Sequence, residues 1–234
     1  MGASETQPVT GIAIRALASH AHLEAAVRLE HEVWGYAPGE SVPLQMFIIA
    51  AETGGQVFGA FDAGRMVGFL LAFPALKPDG RPYLYSHMLG VLFEFRNRHI
   101  GRALKLEQRR DALARGIGLV EWTFDPLEVK NAHFNLESLG VIVRRYLPNH
   151  WGATSSPLHG SAPTDRLVAE WWLRENRGQS ILSPVFRIAV PANIDEARRV
   201  QAAIGARFLD CFGRGLAAVG FEHGAYLLAT WPSA

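Results

Sequence analysis

The stretch of this sequence best suited to chemistry is basic and spans residues 96–116. Seven basic and two acidic side chains give it a net charge of +5, within a chain whose total is +1. A strand predicted over residues 82–92 leads into it, and Gly101 begins a helix predicted to run to about Arg115. The free amides of a first helical turn favour an anion, and arginine adds charge-assisted hydrogen bonds to phosphate oxygens. We therefore predict a phosphate-bearing ligand at this turn, with a solvated basic helix face as the alternative.

Three common motifs are absent from the chain. The turn has no Gly-Lys-Ser/Thr sequence, which excludes a P-loop, and it lacks the Gly-x-Gly-x-x-Gly pattern of dinucleotide binding. No Gly-x-Ser-x-Gly elbow occurs either, which argues against a hydrolase of that type.

A second kind of chemistry is suggested by the strand before the basic stretch. His87 lies four residues before Val91, and strict alternation would place Tyr85, His87 and Leu89 on one face. A histidine with its ordinary pKa of ~6.5 can remove a proton from an amine at neutral pH. Tyr85 and His87 are therefore candidate catalytic residues, and a buried histidine bonded to backbone is the alternative for His87.

Two acidic residues and a tyrosine complete the candidates. Glu121 and Asp125 lie towards and at the end of the next predicted strand, where they could recognise an ammonium group or relay its proton. We take Glu121 as a candidate catalytic residue and Asp125 as a candidate substrate-binding residue, with a solvated strand end as the alternative. Tyr146 ends a later strand and is a weaker candidate at the substrate, since packing with its hydroxyl in water is the common use of such a tyrosine.

The elements around these residues predict an α/β (α+β) fold. The unit of strand, helix and strand between residues 82 and 124 implies a parallel pair joined by a right-handed crossover. The other strands predict a mixed, mostly antiparallel central sheet with flanking helices. Strands are predicted over residues 12–17, 56–61, 66–73, 82–92, 119–124, 141–146, 166–173, 185–190, 217–221 and 226–231, and helices over 19–36, 43–51, 101–115, 131–139 and 193–212.

Three segments are expected along the chain. Residues 1–10 form a flexible tail, residues 11–175 form the main domain, and residues 176–234 form an α/β extension that packs on that domain or completes it. Ser, Gly and Pro are frequent in residues 152–165, which predicts a long loop.

Composition excludes several classes of protein. The 234 residues are 49% hydrophobic and 19% charged, so the chain can bury a large core. A net charge of +1 argues against a dedicated nucleic-acid binder.

The longest apolar run, Met66 to Leu76, is too short to span a bilayer, and no secretion signal is evident. A single cysteine, Cys211, excludes an internal disulfide and a multi-cysteine zinc site. We expect a cytoplasmic protein with no metal, membrane or nucleic-acid partner.

The segment Val91-Leu92-Phe93-Glu94-Phe95-Arg96-Asn97-Arg98-His99-Ile100-Gly101-Arg102-Ala103-Leu104 resembles the acyl-CoA signature of the GNAT superfamily of N-acetyltransferases. That signature runs Val-x-Pro, two residues, then Arg/Gln-x-x-Gly-x-Gly/Ala and a helix. The order of predicted elements from about residue 10 to 175 is also similar. Residues 131–140 resemble the later short helix of the family, which ends in Leu-Gly. The whole resembles an uncharacterised branch of the superfamily that carries a C-terminal extension.

This resemblance implies roles for individual residues. Backbone groups of Leu89, Gly90 and Val91 would bind the pantetheine arm and polarise the thioester, and Asn131 would reach the pantetheine or the sulfur. In members that acylate arylalkylamines, a histidine that acts as a base occupies the position of His87. The residues expected to hold the pyrophosphate of the acyl-CoA are Arg96, Asn97, Arg98, His99, Ile100, Gly101 and Arg102.

The sequence departs from the family pattern at three positions. Phe93 replaces the usual proline, and His99 replaces the first motif glycine, so His99 is strained if that position needs a positive φ. Leu136 occupies the place of the tyrosine that often protonates the leaving thiolate, so that role is vacant or moved.

The function expected from these observations is acyl transfer by direct attack of an amine on acyl-CoA. The donor is expected to be acetyl-CoA, with succinyl or another acyl group as an alternative, and the acceptor a small-molecule amine or an amino acid. The competing expectation is a non-catalytic CoA-binding or protein-interaction module. The extension could complete the sheet of a second copy, which leaves a homodimer open.

Overall fold

The computed structural model describes residues 11–36, 39–152, 163–174 and 183–231. The described chain divides into two compact units, one ending at Ile117 and the other beginning at Gly118. The predicted tail, most of the predicted loop over residues 152–165, and the predicted boundary between residues 175 and 176 lie outside the described residues. That boundary stays a prediction.

The first unit is an antiparallel sheet of four strands with three helices. Each strand pairs with the next along the chain, in the order β1-β2-β3-β4. The elements are β1 (Ile12–Ala16), α1 (His20–Trp34), α2 (Leu44–Glu52), β2 (Gln56–Asp62), β3 (Arg65–Leu76), β4 (Pro82–Val91), a single 3-10 turn (Phe93–Phe95) and α3 (Ile100–Ala114).

Local sequence explains the bounds of these elements. The Ser19 side chain accepts a hydrogen bond from the His22 amide and caps α1, which ends at Gly35 with φ 60°. The β2–β3 hairpin turns at Ala63 and Gly64, both with positive φ. Among the largest fully buried side chains of the unit are Phe47, Phe69, Leu70, Leu71, Ile100 and Leu104.

The second unit contains an antiparallel sheet of six strands, in the order β5-β7-β6-β9-β10-β8. Its elements are β5 (Leu119–Phe124), α4 (Val129–His133) followed by a wider π turn (Phe134–Ser138), β6 (Ile142–Leu147), β7 (Arg166–Trp172), β8 (Phe186–Ala189), α5 (Ile194–Arg199), α6 (Gln201–Gly213), β9 (Leu216–Glu222) and β10 (Ala225–Thr230). The predicted class, a mixed α/β fold whose sheet is mostly antiparallel, is confirmed.

The helix expected over residues 193–212 is in fact two helices. Asn193 caps α5 by accepting from the amides of Asp195 and Glu196. The helix is interrupted at Val200, which has φ −107° and is 40% exposed, so the predicted single helix is wrong at this residue. After the interruption, the Gln201 side chain donates to the Pro163 carbonyl at 2.8 Å and to Asp165 at 2.7 Å.

Helix α6 packs tightly against β6. The Tyr146 ring stacks on Phe208 with a centroid distance of 5.8 Å. A Cβ atom added at Gly205 would lie 2.5 Å from the Tyr146 hydroxyl oxygen and 2.8 Å from its ring carbon Cζ. The absence of a side chain at Gly205 therefore allows this ring to lie against the helix.

We expect Gly205→Ala to destabilise the protein by about 1–3 kcal/mol, because the new methyl group overlaps a rigid ring. Gly213→Ala is the matched control in the same helix, since nothing lies within 4 Å of a Cβ atom there. Chemical denaturation of both variants measures the difference. Equal stability of Gly205→Ala and the unmodified chain would contradict this packing.

Candidate functional site

The turn between β4 and α3 has an unusual backbone. Asn97 has φ 62° and His99 has φ 58°, so two residues other than glycine take the left-handed conformation within three positions. The sequence analysis expected strain at His99 if this position, a glycine in the family motif, needs a positive φ. The structure has that positive φ. A left-handed residue with a Cβ atom costs about 1–2 kcal/mol. Such strain persists where the surrounding structure holds it in place, and it is concentrated at functional sites.

This conformation leaves a row of backbone amides available. No acceptor for the amides from Asn97 to Arg102 is found among the residues that the structure describes, and the first bonded amide of the helix is Ala103, which donates to the His99 carbonyl at 3.0 Å. Left-handed residues that alternate with others bend successive amides towards one point, which forms a concave anion site. We call residues 96–102 the amide loop. Its geometry suits a diphosphate.

The arginines of the amide loop rest on aromatic rings and carry uncompensated charge. The Arg98 guanidinium lies 4.9 Å from the Phe95 ring centroid, and that of Arg96 lies 5.4 Å from Phe93. Within the described ranges, no carboxylate reaches ion-pair distance of Arg96, Arg98 or Arg102. Arg96 also donates to the Val91 carbonyl at 3.3 Å. Arginines without a carboxylate partner, beside free amides, can bind phosphate oxygens.

Further along α3, two arginines form ion pairs with carboxylates of the same helix. Arg110 pairs with Glu107, and Arg115 pairs with Asp111 at 2.7 Å. The three arginines of the amide loop lie at the helix N-terminus, where their charge adds to the positive end of the helix dipole.

Strand β4 contains a β-bulge at His87. Ser86 lies opposite Ala72, and Met88 lies opposite Leu71, so His87 is the extra residue. The bulge shifts the alternation of side chains by one. Ser86 and Leu89 both meet α3, the first through Lys105 and the second through Gly101.

The predicted common face for Tyr85, His87 and Leu89 is therefore wrong for Leu89. Tyr85 pairs with Phe73, and the His87 ring lies 5.8 Å from the Phe73 ring and 6.2 Å from the Tyr85 ring. Tyr85 and His87 are thus together, while Leu89 faces α3. The physical reason is that register is set by the pairing with β3, which alternation within one strand cannot show.

His87 is half-buried among these rings. Burial lowers the pKa of its imidazole below the usual range, so the ring is neutral at pH 7 and can accept a proton. This property fits the role predicted for it.

The three cofactor-binding candidates of β4 lie between His87 and the amide loop. Leu89, Gly90 and Val91 pair with Leu70, Phe69 and Gly68 of β3. The Trp34 ring lies close to Gly90, since a Cβ atom there would be 2.9 Å from it. Along the chain, His87 is therefore followed by the backbone of residues 89–91 and then by the amide loop.

In the second unit, the predicted acidic residues are held by arginines. Glu121 is buried and pairs with Arg145 at 2.8 Å. Asp125 accepts from the Leu127 amide at 2.8 Å, and its other oxygen lies 3.5 Å from Arg198. Both carboxylates are therefore held in place by contacts within the second unit.

Tyr146 is buried, and its hydroxyl donates to Asp165. Burial, together with this hydrogen bond, raises the pKa of Tyr146 above its usual range. Asn131 is exposed on α4, whereas Leu136 is buried in the following π turn. The substrate or cofactor roles predicted for Glu121, Asp125, Asn131 and Tyr146 stay predictions.

Lys105 and Glu30 are among the buried charged residues that the sequence analysis did not identify as buried. Lys105, counted there among the basic residues of the stretch, is 3% exposed and donates to Ser86 and Gln108. Glu30 is buried on α1, where burial raises its pKa to about 7. A signal existed for Lys105, because it shares the buried helical spacing of Gln108 and Ala112.

Within residues 11–36, 39–152, 163–174 and 183–231, no group of three or more His, Cys, Asp or Glu side chains is arranged to hold a metal ion. None of the helices in these ranges is long and apolar enough to cross a membrane.

The fold is that of the GNAT acetyltransferases, as comparison with solved structures shows. The chain is similar to the ribosomal-protein-S18-alanine N-acetyltransferase from Escherichia coli, with 18% identity over 69% of this chain and 94% of that one and a TM-score of 0.52. It is similar to YncA from Salmonella typhimurium, a putative acetyltransferase solved with acetyl-CoA, with 16% identity, coverages of 71% and 96% and a TM-score of 0.56.

A third similar structure is Arabidopsis thaliana Naa50 in complex with the bisubstrate analogue CoA-Ac-MVNAL. It shows 14% identity, coverages of 69% and 98% and a TM-score of 0.54. No family model matches the sequence, and no curated protein matches it.

The strain at His99 gives a direct test of the amide loop. We expect His99→Gly to stabilise the protein by about 0.5–1 kcal/mol, because glycine takes a positive φ without steric cost. Arg98→Gly is the control, since Arg98 does not have a positive φ, and it should destabilise by a similar amount. Denaturant titration of both variants measures the change in the free energy of unfolding, which should have opposite signs in the two. Destabilisation by His99→Gly would mean that the loop has another conformation.

Proposed function

We propose that this protein is an acyl-CoA-dependent N-acyltransferase. The observation that carries the proposal is the amide loop, in which free amides from Asn97 to Arg102 lie beside three arginines without a carboxylate partner. A diphosphate with a flexible thioester arm, as in acyl-CoA, fits a turn of this kind at the end of β4. YncA, a similar structure, was solved with acetyl-CoA, which supports the same class of ligand here.

The proposed reaction is a direct transfer without an acyl-enzyme. The amine nitrogen forms a bond to the carbonyl carbon of the acyl group, and the bond between that carbon and sulfur breaks. Backbone groups of Leu89, Gly90 and Val91 would bind the pantetheine arm and polarise the thioester carbonyl, where negative charge develops. CoA leaves as a thiolate and takes up a proton.

His87 is proposed as the base that removes the proton from the amine. It is neutral at pH 7 because burial lowers its pKa, and its position on β4 precedes the backbone stretch that would hold the thioester. Tyr85 lies beside His87 and would orient the ring or the incoming amine.

The proposed donor is acetyl-CoA, with succinyl or another acyl group as the alternative. The proposed acceptor is a small amine or an amino acid, because the chain has no acidic run suited to a basic peptide. Some similar structures hold peptides or peptide analogues, as in the NatC complex bound to Gag peptide and CoA. A peptide N-terminus should therefore be tested as an acceptor beside small amines and amino acids.

We place the reaction in the cytoplasm because the single cysteine suits a reducing compartment.

The residues of the second unit have proposed roles as well. Asn131 is exposed at the start of α4 and would contact the pantetheine arm. Glu121 would relay a proton, and Asp125 and Tyr146 would contact the acceptor. The ion pairs of both carboxylates and the hydrogen bond from Tyr146 to Asp165 compete with these roles.

A non-catalytic CoA-binding module is the second candidate function. It is favoured by Leu136, which is buried where the family often has its tyrosine acid. Turnover separates the two candidates, because both bind acyl-CoA and only the enzyme releases free CoA when an amine is present.

Acyl-CoA binding is expected to depend on Arg98. Arg98→Ala should weaken acetyl-CoA affinity about tenfold or more in titration calorimetry, because a charge-assisted bond to phosphate is lost. Arg110→Ala on α3 is the control, since Arg110 is paired with Glu107, and the acetyl-CoA affinity of this variant should be unchanged. Absence of acetyl-CoA binding by the unmodified chain at millimolar concentration would contradict both candidate functions.

Turnover is expected to depend on His87. His87→Ala should lower kcat/KM by about 10²–10⁴-fold, since a general base is lost, and acetyl-CoA affinity should be nearly unchanged. In the unmodified enzyme the rate should fall below pH 6.5 as His87 becomes protonated, because its pKa is lowered from that value. Thiol release over a panel of amines measures both effects. His31→Ala, at an exposed position, is the control, and an unchanged pH profile in His87→Ala would exclude His87 as the base.

A further inference from the structure

Lys105 is the centre of a buried polar network in the first unit. Its Nζ atom donates to Ser86 Oγ at 2.9 Å and to Gln108 Oε1 at 3.1 Å. Gln108 in turn donates to Gln56 Oε1 at 2.9 Å, and Gln56 donates to Asp111 at 2.7 Å. The amino group is thus held between Gln108 of α3 and Ser86 of β4, and Gln108 is itself bonded to Gln56 of β2.

Ser86 immediately precedes the bulged residue His87. Two contacts to α3 flank the bulge, the hydrogen bond from Lys105 to Ser86 and the packing of Leu89 against Gly101. The pairing with β3 creates the bulge, and contacts to the residues on either side of His87 hold it in one conformation. The contact to Ser86 therefore helps to hold His87 on the opposite side, against Phe73.

Burying a lysine at this position is energetically unfavourable. Burial lowers the pKa of the Lys105 amino group well below its usual range, which reflects the desolvation of its charged form. A methionine would fill a similar volume without that cost, and replacing buried charged groups by apolar ones is often neutral or stabilising. Packing alone does not account for a lysine here.

We propose that Lys105 is a positioning residue of the acyl-transfer site, which fixes Ser86 and thereby the β4 bulge that directs His87. The same helix begins at the amide loop, so Lys105 links the helix that would hold the diphosphate to the strand that carries the base. This inference rests on the proposed function of His87.

The test compares Lys105→Met with Ser86→Ala, a deletion of one oxygen atom that leaves the lysine in place. Both variants should lower kcat about ten- to a hundredfold, since small misplacements of a catalytic group have effects of this size. Acetyl-CoA affinity should change less than about threefold, because the amide loop is untouched. The double variant should be no slower than the slower single one, as expected for two residues that act through one contact.

A direct measurement of His87 makes the test independent of turnover. The imidazole is titrated by nuclear magnetic resonance, with its signal assigned by its loss in His87→Gln. In Lys105→Met and Ser86→Ala, the His87 pKa should rise towards its ordinary value of ~6.5, because the ring is less firmly buried. Lys130→Met, at an exposed position, is the control and should leave the titration unchanged.

The outcomes separate this inference from the proposed function. A kcat and a His87 titration that match the unmodified chain in both variants would overturn the role of Lys105. A shifted titration in both variants supports that role. If the unmodified chain then shows no turnover with any amine, the proposed function fails while the link from Lys105 to His87 stands.

Discussion

The candidate site depends on one constraint, that the amides at the start of α3 stay without an internal acceptor. A helix N-terminus normally satisfies some of these amides with a capping side chain, as Ser19 and Asn193 do elsewhere in the chain. At α3 the capping position is His99, which is left-handed and makes no side-chain cap. The strain at His99 and the free amides are therefore two aspects of one arrangement, which becomes favourable when an anion binds.

The elements around the amide loop keep that arrangement in place. Ile100 is buried and packs near Gly68 of β3, and Gly101 allows Leu89 of β4 to lie against the helix. The helix start is thus fixed to the strand that carries the backbone groups proposed for the thioester. Arg110 and Arg115 are paired with carboxylates of α3, whereas Arg96, Arg98 and Arg102 beside the free amides have no carboxylate partner among the described residues. Packing and charge therefore favour an anion at the same place.

The sequence was sufficient for features that depend on local signals. Helix caps, glycine turns and the period of the apolar residues identified the helices and strands, and the basic turn was recognised from its composition. Features that depend on contacts between distant segments of the chain could not be predicted from the sequence. The bulge at His87 is set by the pairing with β3, and the interruption at Val200 accompanies contacts from Gln201 to Pro163 and Asp165. The buried position of Lys105 requires a partner on β4, Ser86. The hydrogen bond from Tyr146 to Asp165 likewise joins residues on separate strands and loops.

The C-terminal strands bear on how copies of this chain could associate. β6 pairs with β7 on one side and reaches β9 on the other, through Val143 and Ala218. A second copy therefore has no free edge at β6, and the sheet of the second unit ends instead at β8. That strand has four residues, and a short edge strand offers few hydrogen bonds to a neighbouring sheet. A homodimer built by joining sheets at β8 would consequently have few backbone hydrogen bonds between its two copies.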